Sequence, residues 1–132
     1  MKKPLLIITA TIILFATACL NGLKTEQILG RWKYIKVGVP NSSPPDTVTT
    51  AELEENKPFI DFKSDGNFSI TWGGKILSHG TYKLSGKNIN VHEVLPEGQS
   101  RDFPFFVSEI TDKQITFETT VQGGSRVTAV RE

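Results

Sequence analysis

From Pro58 onward, apolar and polar residues alternate in short runs separated by turn residues. Phe59-Ile60-Asp61-Phe62-Lys63 leads into the turn Ser64-Asp65-Gly66-Asn67, after which Phe68, Ile70 and Trp72 share one face at period two. Gly73-Gly74 turns the chain into a run over residues 76–84, which Gly80 interrupts, and Ser85-Gly86-Lys87-Asn88 turns it again. Ile89, Val91 and Val94 make the next apolar face, and Pro96-Glu97-Gly98 is a loop. Residues 103–110 are apolar, with Pro104 marking a sheet edge or a strand start. Thr111-Asp112-Lys113 turns into a run over 114–121, and Gly123-Gly124 into a last strand over 126–131. Before Pro58 the pattern is looser. Residues 26–29 predict one helical turn capped by Thr25, and residues 30–37 are β-prone. Asn41-Ser42-Ser43-Pro44-Pro45-Asp46 is a loop. Thr49-Thr50-Ala51-Glu52 has capping-box spacing and predicts a short helix to about residue 56. About eight short strands joined by Asp-Gly, Gly-Gly and Ser-Gly turns predict an all-β domain. Sequential hairpins favour a small antiparallel up-and-down β-barrel, which leaves no free edge.

The N-terminus has a different character. Lys2 and Lys3 precede an apolar run over residues 4–15, and Ala16-Thr17-Ala18 precedes Cys19, the chain's single cysteine. A basic start, a short apolar run and small residues before a cut are the parts of a secretory signal peptide. The run is shorter than the ~20 apolar residues that span a bilayer. The chain therefore divides into a signal peptide (1–18), a tether (19–25) and one domain (26–132). Of 15 basic and 14 acidic residues, the signal removes two lysines and leaves 13 against 14. No basic stripe remains, which argues against a nucleic-acid partner.

Ala-Thr-Ala-Cys resembles the lipobox of bacterial lipoproteins, in which the peptide is cut before the Cys and its thiol is diacylated. Ala16 stands where the commonest lipobox has Leu. An ordinary signal peptide cut after Ala18 would instead leave Cys19 as a free thiol. A lone thiol is out of place in an oxidising compartment, and acylation accounts for both its number and its position. The resemblance implies palmitate-type acylation at Cys19 and a membrane partner reached through that anchor. Leu20 follows the Cys where an inner-membrane retention signal would have Asp. This implies an outer-membrane protein facing the periplasm.

The domain resembles the lipocalin-like domains of small bacterial lipoproteins, a calycin-type barrel. Leu29-Gly30-Arg31-Trp32 matches the Gly-x-Trp that opens a lipocalin's first strand after a short helical turn. Phe62-Lys63-Ser64-Asp65-Gly66-Asn67-Phe68, Gly80-Thr81-Tyr82-Lys83-Leu84 and Ile110-Thr111-Asp112-Lys113-Gln114-Ile115 follow in matching order. The long segment over residues 38–57 fits the first inter-strand loop, which lids the open end. Gly30 and Trp32 are then structural, and the resemblance implies a closing arginine, Arg131 or Arg126, over the indole. The domain is shorter than secreted lipocalins and lacks their disulfides.

Little in the chain suggests catalysis. His79 and His92 are the only histidines, and neither has a Cys partner or clustered carboxylates, so no metal site or cofactor is assigned. Glu93 faces away from its neighbour His92 on a strand. Asp65-Gly66 is accounted for by turn chemistry. Asp46-Thr47-Val48 resembles an acceptor for protein O-glycosylation at Thr47; the alternative is a plain loop threonine. Two functions remain. The barrel binds a small hydrophobic or amphiphilic ligand, with Phe62, Phe68, Trp72, Tyr82, Phe105 and Phe117 as candidate lining. Alternatively, those rings fill the barrel, and the protein is a non-enzymatic scaffold or inhibitor acting on an unidentified protein partner.

Overall fold

The computed structural model describes residues 22–39, 46–119 and 124–132. The expected signal peptide, Cys19 and residues 40–45 of the first long connection lie outside the described residues. Eight strands follow one another around a closed antiparallel barrel: β1 (Gly30–Val39), β3 (Phe59–Phe62), β4 (Asn67–Trp72), β5 (Lys75–Ser85), β6 (Asn88–Val94), β7 (Ser100–Ile110), β8 (Gln114–Thr119) and β9 (Arg126–Arg131). Closure comes from β9 pairing back onto β1, from Trp32 opposite Arg131 to Gly38 opposite Arg126. A two-residue strand, β2 (Asp46–Thr47), adds to the far end of β1 outside the ring. Two short helices complete the chain, α1 (Thr25–Ile28) before β1 and α2 (Thr50–Asn56) before β3.

Alternation along each strand sends one set of side chains inward. Trp32, Tyr34, Ile60, Phe62, Phe68, Ile70, Tyr82, Ile89, Val91, Phe105, Val107, Ile115, Phe117, Val127 and Ala129 form one buried core, joined by Ile28 from α1 and Leu53 from α2. The antiparallel order gives the barrel two unlike ends. Both described termini and the tight turns after β3, β5 and β7 lie at one end. The long β1–β3 connection with α2 and the turns after β4 and β6 lie at the other.

Several local expectations shift. The helical turn starts one residue early, so Lys24 is its cap and Thr25 lies inside it; the Gln27 side chain accepts from the Lys24 amide at 2.7 Å. The second helix behaves as its spacing predicts: Thr49 Oγ1 accepts from the Glu52 amide, and Lys57 ends it in the left-handed region before Pro58. Asp46-Thr47, read as loop, forms β2, which pairs with Gly38 and Val39 where β1 runs past β3. Pro104 does not start a strand, since it lies inside β7 opposite Asn90. The Val107 amide donates toward the β6 side, to Lys87. By alternation the Pro104 nitrogen faces the β8 side, just past the last described β7–β8 pair, Phe105 with Thr119, so it interrupts no described ladder hydrogen bond.

Gly80 does not break β5, which runs through it. It sits between Phe68 on β4 and Glu93 on β6. A Cβ there would lie 1.7 Å from the His92 carbonyl oxygen and 3.2 Å from a Phe68 ring carbon. Only glycine lets these strands approach this closely. Gly80→Ala is expected to lower stability by about 2–3 kcal/mol in urea titration. Gly74→Ala, at a turn where a Cβ meets nothing within 4 Å, should cost only about 1 kcal/mol. Equal losses in the two variants would contradict the close-approach argument.

Candidate functional site

The closed end is built first by the chain. α1 places Ile28, fully buried, beneath the barrel, and its carbonyl accepts from the Trp32 indole Nε1 at 2.8 Å. Arg131, and not Arg126, lies over that indole, with its guanidinium carbon 4.2 Å from the ring centroid. Its Nε donates to the Asp112 carbonyl at 2.8 Å, Nη2 to the Gln27 carbonyl at 2.7 Å and Nη1 to the Leu29 carbonyl. Arg126 pairs instead with Glu118 on the outside of the neighbouring strand, at 2.8 Å.

The six candidate lining residues fall into separate groups. Phe62, Phe68 and Tyr82 pack together above the closed end, with Phe62 edge-on to Tyr82 at 5.2 Å. The Tyr82 hydroxyl donates to the Lys63 carbonyl at 2.5 Å, which fixes the ring. Burial, then the Asp65 carboxylate, raise its pKa. Phe105 and Phe117 meet at 4.9 Å across β7 and β8, with Phe103 and Tyr34 edge-on to them. Trp72 belongs to neither group; it is half-buried at the tip of β4 beside the other end. The lower barrel is thus filled by its own rings, and the upper barrel differs in chemistry. Thr47 is exposed in β2.

The residue that continues the buried face of β6 is Glu93 and not Val94. It is 4% exposed, whereas Val94 is only half-buried. Arg101 Nε donates to the Glu93 carboxylate at 2.6 Å while the arginine side chain stays 63% exposed. The same guanidinium lies 5.1 Å from the Phe103 ring centroid. Ser78, on the inward face of β5, is 2% exposed, and its Oγ has no hydrogen-bond partner among the described residues. Tyr34 faces the same interior, where its phenol senses the Glu93 charge. This polar group was readable in the sequence: strict period two from Ile89 and Val91 leads to Glu93, and from Phe105 and Phe103 it leads to Arg101.

Two surface features frame this end. Where β1 runs past the start of β3, α2 fills the gap in the wall. Lys33, Tyr34, Ile35, Thr50, Leu53, Glu54 and Lys57 line a groove there of about 360 Å³. On the outer face of β6 and β7, His92 Nδ1 lies 2.8 Å from Asp102 Oδ1, a pairing the sequence did not suggest. Those side chains are 48% and 80% exposed, so water competes for the contact. His79 is exposed on β5. Among the described residues, no group of three His, Cys, Asp or Glu side chains could hold a metal ion, and no helix is long and apolar enough to cross a membrane.

No protein-family model matches this chain, and no curated protein matches it. Solved structures share its architecture. A lipocalin-like protein from Bacteroides uniformis superposes with a TM-score of 0.55 at 17% identity, covering 80% of this chain and 99% of that one. An uncharacterized protein from Bacteroides eggerthii gives 0.49 at 18% identity, covering 77% and 98%. The chain therefore has a lipocalin-like β-barrel fold, and at this identity the likeness concerns the fold alone.

Burial, and after it the Glu93 carboxylate, hold the Tyr34 phenol far above the ordinary tyrosine range. The folded chain grips this proton more tightly than the unfolded chain does. The resulting stability is complete below the unfolded tyrosine value, about 10, and is lost as pH rises toward the folded value. Urea titrations from about pH 8 to about pH 11 should show Tyr34→Phe losing less stability with pH than the native chain does. Parallel losses would contradict the assignment.

Proposed function

We infer that this chain is a lipid-anchored protein of the bacterial cell envelope whose barrel takes a small hydrophobic or amphiphilic ligand at its open end. The unlike ends of the barrel carry the reading. One end is sealed by Ile28, Trp32 and Arg131. The other is roofed by the seven-residue α2, which inserts a single buried side chain, Leu53. The rings of Phe62, Phe68 and Tyr82 exclude a ligand from the lower half, so binding is confined to the upper half, near Tyr34, Trp72 and Phe103. The groove under α2 offers an entry that needs only a small displacement of that helix. No catalysis is assigned.

The anchor rests on the sequence: Lys2-Lys3, the apolar run and Ala-Thr-Ala-Cys19. Two acyl chains at Cys19, with about 0.8 kcal/mol per buried methylene, exceed what stable membrane attachment needs. The absence of Asp at position 20 favours the outer membrane. A second reading, a scaffold or inhibitor, is favoured by the ring packing and by Ile76 and Leu77, which are 58% and 51% exposed on the β4–β5 hairpin.

Two measurements check this. In the native host, labelled palmitate should enter the wild-type protein, and Cys19→Ser should release the protein from the membrane fraction; an unlabelled wild-type chain would refute the anchor. Native mass spectrometry of the protein from that host should show a reproducible small-molecule adduct. A clean apo mass with a co-purifying protein would favour the second reading.

A further inference from the structure

Burying an ionised carboxylate costs several kcal/mol unless strong partners offset it. The Glu93 side chain is 6% exposed and faces the barrel interior, so it needs a cation. The chain provides one from the neighbouring strand. Arg101 stands directly opposite Glu93 on β7, near the rim, makes its contact through Nε alone and leaves most of its own surface in water. A carboxylate accepts about four hydrogen bonds, and this one receives a single charged donor. Two further polar groups face the same interior. Ser78 Oγ is buried and unpartnered among the described residues, and the Tyr34 phenol lies within electrostatic reach of Glu93. Directly opposite Glu93 on β5 stands Gly80, which contributes no side chain to the space beside the carboxylate. The Phe103 ring completes the surroundings, and it already faces the Arg101 guanidinium. A carboxylate, an aromatic face and hydroxyl groups together are the elements of a site for an organic cation.

We propose that Glu93, Ser78, Tyr34 and Phe103 form a head-group site for an ammonium-bearing amphiphile, and that Arg101 occupies this site in the unliganded protein. The proposal rests on the ligand-binding reading above and adds the chemical class of the ligand. An incoming ammonium takes the carboxylate and the ring face from Arg101. The guanidinium swings into solvent, where its exposure already places most of it, so little is lost on displacement. The ammonium donates to Glu93 and to Ser78 Oγ, while the alkyl tail lies along Phe103, Trp72 and Leu53. A neutral or anionic head group cannot replace the guanidinium charge and would leave Glu93 buried and unpaired.

The test uses the mature chain from position 19 with Cys19→Ser, which keeps it in solution; the barrel and its cap are complete from residue 22 onward. Dodecylammonium, dodecanol and dodecanoate are titrated calorimetrically below their micellar concentrations. Dodecylammonium is expected to bind at least about tenfold tighter than dodecanol, with dodecanoate weakest. Glu93→Gln should abolish the preference for dodecylammonium over dodecanol. Arg101→Ala should tighten dodecylammonium about threefold or more by removing the internal competitor, and this arm decides the matter should Glu93→Gln fail to fold. Equal binding of amine and alcohol, or an Arg101→Ala variant that binds the amine no better, overturns the head-group assignment while leaving the ligand-binding reading intact. No binding of any of the three overturns both.

Discussion

The guanidinium of Arg131 lies 4.2 Å above the Trp32 ring and donates to the carbonyls of Gln27, Leu29 and Asp112. One side chain from the last strand thereby holds the helical turn, the first strand and the β7–β8 turn. Hydrogen bonds to a charged donor contribute about 1.5–3 kcal/mol each when buried and less when exposed, and a partly exposed cation over an indole about 1 more. The ring of strands depends on this junction. β1 and β9 are the first and last strands, so their pairing is the contact of highest sequence separation and the one with the largest loop-closure cost. Arg131 concentrates strong, directional contacts where that cost falls. By sealing one end it also gives the barrel its polarity.

The remaining packing follows from that polarity. Aromatic rings stack upward from the seal in two groups and exhaust the lower interior. An eight-stranded barrel is just wide enough for its side chains to fill, and these rings fill its lower half. Near the opposite end bulk gives way to smaller and polar residues: a buried acid, a buried serine without a partner among the described residues, and a glycine where a ring would fit the pattern but not the strand spacing. Stability and potential recognition therefore occupy different levels of one small molecule.

Much of this was legible in the chain. Turn chemistry marked the hairpins, period two marked the inward faces, and Gly30-Arg31-Trp32 marked the start of the barrel. What escaped did so for identifiable reasons. Val94 looked like the core residue and Glu93 did not, because hydrophobicity was allowed to override the strand period; the period held, and Arg101 made the buried charge tolerable. Gly80 read as an interruption, since local propensity does not reveal that a neighbouring strand comes too close for a Cβ. The choice between Arg126 and Arg131 needed the register, which places Arg131 opposite Trp32 and Arg126 opposite Gly38. The His92–Asp102 pair likewise exists only through the β6–β7 register.

Leu23 is fastened by its amide to the Gly86 carbonyl, at the sealed end of the barrel. Gly22 lies only three residue steps after Cys19, about 11 Å of chain at full stretch. The opposite rim is about 25 Å away, given ten residues in β1 and the usual strand tilt. A fatty anchor at Cys19 would therefore set the protein upright on the bilayer like a cup on a table, with its base toward the lipid and its mouth toward the aqueous compartment. Exchange through that mouth would be with molecules dissolved or carried in the periplasm, while the membrane below would supply location alone.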